Sequence, residues 1–283
     1  MKSNVFLMLI GLMLFSADAQ GDSDTQRDSD AQGDLQSPRP SPWKLVFSDE
    51  FNLPNGSQPD PIIWNRAGRN PSQWARWNSN SEKVVYIKNG CLVCRAIPNK
   101  YEPADTAKML TGGVNTMNKF EFQYGKVEVR MKTNFIPGNF PAAWLFKTHS
   151  QRDDLYGEID IVEVFSNQKK ASHTIHSQYT QSHPKHGMKT SFNKTVDVRK
   201  WHVYGIEWTP EYVLWTVDGE TTGIYQKPQD KKLLEEGAWT FDHPFFIILN
   251  QAVGNGRWKA LPYPDTRKTF ETRFDWVRVY QRK

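Results

Sequence analysis

The chain has 283 residues, of which 38% are hydrophobic and 24% charged, and its formal net charge is +5. Residues 1–42 carry about −3 of that charge, so the remaining chain carries about +8, which suits an anionic glycan or nucleic acid. No helix-turn-helix, zinc-finger or RNA-binding pattern accompanies the charge. We therefore do not expect nucleic acid as a partner.

Residues 1–19 have the pattern of a secretory signal peptide. Lys2 gives a positive start, residues 5–15 are almost wholly apolar, and residues 17–19 (Ala-Asp-Ala) resemble a cleavage site. The apolar run is too short to span a bilayer comfortably, and no later run is long enough, so no transmembrane segment is expected. We therefore expect an exported protein, either periplasmic or extracellular.

Residues 20–42 are rich in Asp, Ser, Gln and Gly and contain a near-duplicate at 22–26 and 28–32. With no aromatic residue and one leucine, this segment cannot bury enough apolar surface to offset its ordering entropy. It is predicted to be a disordered linker. No second linker follows, so residues 43–283 are predicted to form one domain, which we expect to be monomeric.

The two cysteines, Cys91 and Cys94, lie in a segment with the pattern of a β-strand. Residues three apart on a strand face opposite sides, so neither a disulfide nor a shared metal ion is geometrically easy. The sequence therefore predicts two free thiols.

Alternation of apolar and polar residues with a period of two dominates the domain. Asn89-Gly90 separates two such runs and predicts a hairpin, because both central residues of a type I′ turn need positive φ. The strands predicted on this basis cover 83–88, 91–96, 124–132, 201–208, 212–217, 245–249 and 274–280. Only residues 231–236 suggest a short helix. Many short strands between turns predict an all-β fold, an antiparallel β-sandwich.

Residues 156–165 carry three acids in an otherwise apolar strand. In a regular strand Glu158 and Asp160 share one face, whereas Glu163 falls on the opposite, apolar face, where a lone carboxylate is costly. A one-residue β-bulge between Asp160 and Glu163 returns all three acids to one face. Crowded carboxylates raise the pKa of at least one member, so one can hold a proton while another stays ionised. Such a pair suits retaining cleavage of a glycosidic bond.

The same pattern also suits a solvated edge strand whose acids deter aggregation. The strong apolar character of the strand and its place in mid-chain favour the catalytic interpretation.

The chain resembles glycoside hydrolase family 16, in the branch with a bulged E-x-D-x-x-E. The resemblance extends over nearly all of 43–283 and rests on segments in the family's order: 48–51, 111–114, 122–130, 141–144, 157–160, 204–210, 249–254 and 275–280. It implies a jelly-roll, concanavalin A-like sandwich with an open cleft on its concave sheet, suited to internal cleavage of a polysaccharide.

The resemblance also implies roles for the three acids. Glu158 corresponds to the nucleophile, Glu163 to the general acid and base, and Asp160 to a helper that hydrogen-bonds and tunes the nucleophile. No cofactor is expected for catalysis.

Other residues are implied to contact the glycan. Trp144 corresponds to the floor of the subsite beside the scissile bond, although a core tryptophan is the alternative. His176 corresponds to a cleft histidine, but residues 177–178 (Ser-Gln) depart from the laminarinase pattern. Further contacts are expected from Trp74, Arg76, Asn115, Asn250 and Trp258.

Two sets of residues are candidates for a metal site. Similarity to family members suggests a structural calcium ion at Asp275 with backbone oxygens near Glu50 and Gly90, although Asp275 equally suits a strand-end acid. The second site would use the histidines, but their spacing is irregular and a metal ion is not expected there. These histidines are His173, His176, His183 and His186.

The substrate is the least determined property. Three features favour an endo-β-1,4-galactosidase acting on poly-N-acetyllactosamine or mucin O-glycans: the basic charge, an aromatic and polar cluster at 74–78, and the pattern of residues 174–180, which resembles that of family members acting on these glycans. The alternatives are an endo-β-1,3- or 1,3-1,4-glucanase, a sulfated-galactan hydrolase, and a non-catalytic glycan-binding protein.

Overall fold

The computed structural model describes residues 41–100, 102–148, 155–166 and 168–283. The predicted signal peptide, 1–19, and nearly all of the predicted linker, 20–42, lie outside the described residues. Ser41–Lys283 form one compact unit. In the described part of the chain, no helix combines the length and apolar character needed to cross a membrane.

The described residues form sixteen strands and two short helices. In chain order these are β1 (Trp43–Asp49), β2 (Asn65–Arg66), β3 (Val85–Ile87), β4 (Leu92–Pro98), β5 (Met109–Asn115), β6 (Glu121–Phe122), β7 (Gly125–Thr133), β8 (Asn139–Lys147), β9 (Gly157–Glu163), β10 (Lys170–Ser177), α1 (Gln178–Ser182), β11 (Ser191–Thr195), β12 (His202–Trp208), β13 (Tyr212–Val217), β14 (Glu220–Gln226), α2 (Lys231–Glu235), β15 (Phe245–Val253) and β16 (Phe270–Arg282).

The strands form two antiparallel layers. The first sheet has the order β11-β10-β9-β8-β15-β5, and β2 and β6 pair with β5 and β15 respectively. The second sheet has the order β4-β16-β7-β12-β13-β14, and β1 and β3 pair with β16 and β4 respectively. The two layers are linked where β4 pairs with β5. This arrangement confirms the predicted all-β antiparallel sandwich.

The predicted hairpin is present at Asn89-Gly90. Both residues have positive φ, +53° and +65°, as a type I′ turn requires. Lys88 and Cys91 exchange backbone hydrogen bonds of 2.9 and 3.2 Å across the turn. The hairpin joins β3 to β4, as predicted.

Both cysteines are free and buried, which confirms the prediction of two unpaired thiols. Burial raises the pKa of the Cys94 thiol to about 12. A thiol that stays protonated at neutral pH is a poor nucleophile and metal ligand, so Cys94 acts as a small core residue.

The core lies between the two sheets. Strand β7 alternates strictly: Val127, Val129 and Met131 are buried, whereas Lys126 and Glu128 are less buried and pair with each other at 2.6 Å. Large aromatic residues fill much of the remaining core, including Trp208, Trp215, Tyr204 and Phe245. Each fully buried side chain of this kind stabilises the fold by roughly 1.5–3 kcal/mol, so the strands give the site a rigid base.

Helix α2 confirms the predicted turn at 231–236, whereas α1 was not expected. Ser177 begins α1 and forms a capping box with Thr180. Five residues are too few to show a helical repeat of apolar residues, so only the capping residues could have predicted this helix.

Candidate active site

Strand β9 carries the three acids and lies between β8 and β10, inside the first sheet. The edge-strand interpretation is therefore wrong. Against β8, Glu163 pairs with Ala142 and Asp160 pairs with Trp144, so three steps along β9 match two along β8. This is the predicted β-bulge between Asp160 and Glu163.

The bulge is held from the core side by two hydrogen bonds. Trp215 Nε1 donates to the backbone oxygen of Asp160 at 2.8 Å, and His173 Nδ1 donates to that of Ile161 at 2.7 Å. His173 is fully buried, and burial lowers its pKa, which favours the neutral ring. The carbonyl groups at the bulge therefore have partners, and His173 stabilises the strand from the core side.

The bulge brings all three acids to one open cleft of about 610 Å³. Its lining combines aromatic rings with a few polar groups, as in many ligand sites. The main lining residues are Trp74, Asn115, Trp144, Phe146, Tyr156, Glu158, Asp160, Glu163, His176, Phe246, Asn250 and Trp258.

Asp160 lies between the two glutamates along β9 and interacts electrostatically with both. Burial raises the pKa of all three groups, and the charges of neighbouring acids add to the effect for Asp160 and Glu163, whose pKa values lie well above the ordinary range. The pKa of Glu158 is also raised by burial, but the neighbouring His176 and a hydrogen bond from Tyr156 oppose this. Protons therefore reside preferentially on Glu163 and Asp160, and Glu158 is the group most readily ionised.

His176 faces the acids from β10, as the resemblance implied. Its Nε2 lies 3.4 Å from Asp160 Oδ2 and 3.7 Å from Glu158 Oε1. Gln181, on α1, lies 3.5 Å from its Nδ1. The ring is therefore placed to hydrogen-bond to the acid cluster or to a sugar hydroxyl group.

Tyr156 was not singled out from the sequence. Its hydroxyl group donates a hydrogen bond to Glu158 Oε2. Tyr156 lies two residues before Glu158 and therefore on the same strand face. This spacing was the one feature of the sequence that could have predicted its place beside Glu158.

Trp144 is buried and also lines the cleft, so its two interpretations are compatible. Its Nε1 donates to Asn250 Oδ1 at 2.8 Å, and Trp74 packs edge-on against it with ring centroids 5.1 Å apart. Asn250 Nδ2 is buried and has no partner among the described residues. Asn250 Nδ2 suits a hydrogen bond to a sugar hydroxyl group, and the indole ring of Trp144 suits packing against the face of a sugar.

The other predicted contacts divide into two groups. Trp258 is 55% exposed at the cleft, and Asn115 lines it while accepting from the backbone N–H of Met117. Arg76 lies outside the cleft lining. Its guanidinium donates to the backbone oxygens of residues 73, 253 and 254 and stacks on Trp77, so it braces the loops instead.

Positive charge is not concentrated at the described cleft. Arg69 is the one lysine or arginine among the described lining residues, and Asp105 accepts from its guanidinium at 2.8 Å. The other charged or titratable groups there are the three acids, His176 and Tyr156. The net charge of the domain therefore does not favour a sulfated glycan over a neutral one at this site.

The one side chain proposed for calcium, that of Asp275, already has partners: it is bonded to Arg130 and contacts the Cys91 thiol. Calcium takes about six to eight oxygen ligands, and the guanidinium group of Arg130 already neutralises this carboxylate. The Glu50 side chain, whose oxygens accept from Arg278 at 2.9 and 2.8 Å, is not part of the proposed site, which uses backbone oxygens near Glu50 and Gly90.

We accordingly expect the melting temperature to be the same in excess chelator and in added calcium. Differential scanning fluorimetry measures this directly. A rise of several degrees with calcium, abolished in Asp275→Asn, would instead support a calcium site at Asp275.

Comparisons with known proteins point to one family. The model for glycosyl hydrolases family 16 matches residues 72–278. A keratan-sulfate endo-1,4-beta-galactosidase of Sphingobacterium multivorum is 30% identical over 242 residues, covering 84% of this chain and 55% of that protein. A beta-glucanase of Rhodothermus marinus is 29% identical over 268 residues, covering 88% of this chain and 89% of that protein. The chain thus spans about half of the first relative and most of the second.

A solved structure with the same fold comes from work on endo-acting O-glycanases that prominent members of the human gut microbiota express to initiate mucin breakdown. It superposes with a TM-score of 0.72 at 26% identity, covering 85% of this chain and all of that chain.

Proposed function

Because the chain belongs to the glycosyl hydrolases of family 16, we propose that it is an endo-acting glycosidase that cleaves internal β-linkages of a glycan with retention. One observation carries the proposal: the bulge in β9 turns Glu158, Asp160 and Glu163 into the same open cleft. An open cleft admits a polymer along its length, and three crowded carboxyl groups supply a nucleophile and a proton donor.

The electrostatics support one assignment of roles. Glu163, whose pKa lies well above its ordinary value, holds the proton that the leaving oxygen needs. Glu158, stabilised as an anion by His176 and Tyr156, attacks the anomeric carbon. Asp160 interacts with both glutamates, so it couples the two roles.

Retention is expected because both glutamates extend from the same face of β9, on either side of Asp160, which suits the short separation of a retaining pair. We expect the first product formed from a β-linked glycan to be the β-anomer. Proton NMR at early times measures this, and an initial α-anomer would contradict the mechanism.

For the substrate we propose a galactose-containing glycan, such as poly-N-acetyllactosamine or a mucin O-glycan. Support comes from the similarity to the keratan-sulfate galactosidase and to the O-glycanase structure. Because the described cleft lacks an unpaired cation, we expect unsulfated chains to be cleaved at least as fast as sulfated ones.

The second candidate is a β-1,3- or mixed-linkage glucanase. The similarity to the Rhodothermus marinus beta-glucanase favours it, since the match covers 89% of that protein. The same acids and the same indole floor serve either substrate, so the loops at the cleft distinguish them.

A digestion panel tests the choice. We expect cleavage of mucin glycans and of desulfated keratan sulfate, with little cleavage of laminarin, lichenan or agarose, as measured by mass spectrometry of the products. Rapid laminarin cleavage with the galactose-containing glycans intact would favour the glucanase and leave the mechanism unchanged.

Export belongs to the proposal as well. It rests on the pattern of residues 1–19, and such a location would give the enzyme access to polymers too large to enter a cell.

A further inference from the structure

Tyr156 lies immediately before β9 and lines the cleft. Its backbone N–H donates to Gln178 Oε1 at 3.0 Å, and its backbone oxygen accepts from Thr240 Oγ1 at 2.7 Å. Its ring packs edge-on against Phe146, with centroids 5.4 Å apart. Contacts from three separate segments therefore fix its orientation.

The two oxygens of Glu158 have different surroundings. Oε2 accepts the hydrogen bond from the Tyr156 hydroxyl group, whereas Oε1 faces His176 Nε2 at 3.7 Å. A hydrogen bond donated to a carboxylate stabilises its charge and restricts its rotation. Tyr156 thus holds Oε2, and Oε1 is the oxygen that Tyr156 does not bind.

We propose that Tyr156 is a positioning residue for the nucleophile, which keeps Glu158 ionised and turns Oε1 toward the anomeric carbon. The role rests on the proposed function. In the first step Oε1 bonds to the anomeric carbon, the glycosidic C–O bond breaks, and Glu163 gives its proton to the departing oxygen. Water then attacks that carbon and gives a proton to Glu163, while the electron pair of the ester C–O bond returns to Glu158. Tyr156 keeps its proton throughout.

Several groups act on Glu158 together with Tyr156. Asp160 and Glu163 lie on its own strand, and His176 faces it from β10. Burial and the negative charges of these acids raise the pKa of the Tyr156 hydroxyl group, so it remains a donor at every working pH. Because Asp160 and His176 also stabilise the anion, loss of Tyr156 removes only part of the effect.

The variant Tyr156→Phe keeps the ring packed on Phe146 and removes only the hydroxyl group. Without this donor the anion is less stable, so we expect the pKa of Glu158 to rise by about 0.5 to 1 unit. The acid limb of the kcat/KM profile, which requires ionised Glu158, should move up by the same amount. The alkaline limb, which requires protonated Glu163, should stay in place.

The test is a carbon-13 NMR titration of the glutamate carboxyl groups, with Glu158→Gln identifying the relevant signal. Tyr212→Phe is the matched control, since its hydroxyl donates to Glu207 at 2.7 Å outside the cleft, and it should leave the Glu158 titration unchanged. Incorporation of 3-fluorotyrosine in the otherwise unaltered chain strengthens the phenol as a donor and should lower the pKa of Glu158.

A Glu158 titration in Tyr156→Phe that coincides with the wild type, at an unchanged melting temperature, would overturn the positioning role. If that variant does not fold, the absence of a shift with 3-fluorotyrosine overturns it. Wild-type protein that cleaves no β-linked glycan would instead refute the proposed function, and the titration would still decide the role of Tyr156.

Discussion

Replacement of Glu158 by glutamine is expected to lower kcat by at least about 10³-fold, because the amide cannot attack the anomeric carbon. Glutamine fills the same space beside Tyr156 and His176, so affinity for the glycan should be kept. Turnover by reducing-sugar release and binding by calorimetry measure the two effects separately.

Two comparisons sharpen this result. Glu220→Gln changes an exposed glutamate that pairs with Lys194, far along the chain from the acid cluster, and should retain wild-type turnover.

In Glu158→Ala, azide should attack an activated aryl glycoside directly and give an α-glycosyl azide, by one displacement. In Glu163→Ala, azide should attack the glycosyl-enzyme and give the β-product. Exchange of the two outcomes would reverse the roles of the glutamates.

Replacement of Glu163 by glutamine is expected to slow cleavage of the natural glycan by about 10²- to 10⁴-fold, since the proton donor is lost. Aryl glycosides with acidic leaving groups need no protonation and should lose far less in the first step. Wild-type activity should fall at high pH as Glu163 ionises, and this alkaline limb should be absent in the variant. An unchanged alkaline limb in Glu163→Gln would assign the proton to another group.

The same variant should be more stable than the wild type above neutral pH. The pKa of Glu163 is raised in the folded protein, mainly by burial and then by the charges of Asp160 and Glu158, so the folded state binds the proton more tightly than the unfolded state. The wild-type free energy of unfolding therefore falls as pH rises from the ordinary glutamate pKa to the folded pKa, whereas glutamine does not ionise. Melting temperatures measured from about pH 4 to 9 should begin to diverge above the ordinary glutamate pKa, and the difference should level off once Glu163 also ionises in the folded protein.

The sequence by itself determined features that depend on neighbours along the chain. Asn89-Gly90 predicted its turn because the φ angles of two adjacent residues decide the turn type. The spacing of Glu158, Asp160 and Glu163 predicted the bulge. Side chains alternate between the two faces of a strand, so Glu163, three residues after Asp160, reaches the same face only if the strand contains one extra residue.

Only the tertiary structure decided which side chains meet across the fold. Arg76 reaches the backbone at residues 253 and 254, and Arg278 pairs with Glu50, although each pair is more than a hundred residues apart. These contacts place Arg76 against the loops, outside the cleft lining. Spacing along the chain does not encode them, since the folding of the two sheets brings the partners together.

The acid cluster combines both origins. Local alternation together with the bulge placed three carboxyl groups on one face of β9, but their proton affinities depend on groups from elsewhere in the fold. His176 comes from β10, and Trp215 holds the bulge from the second sheet. The positions of the acids therefore follow from the strand pattern, whereas the division of protons among them follows from burial and charge in the assembled sandwich.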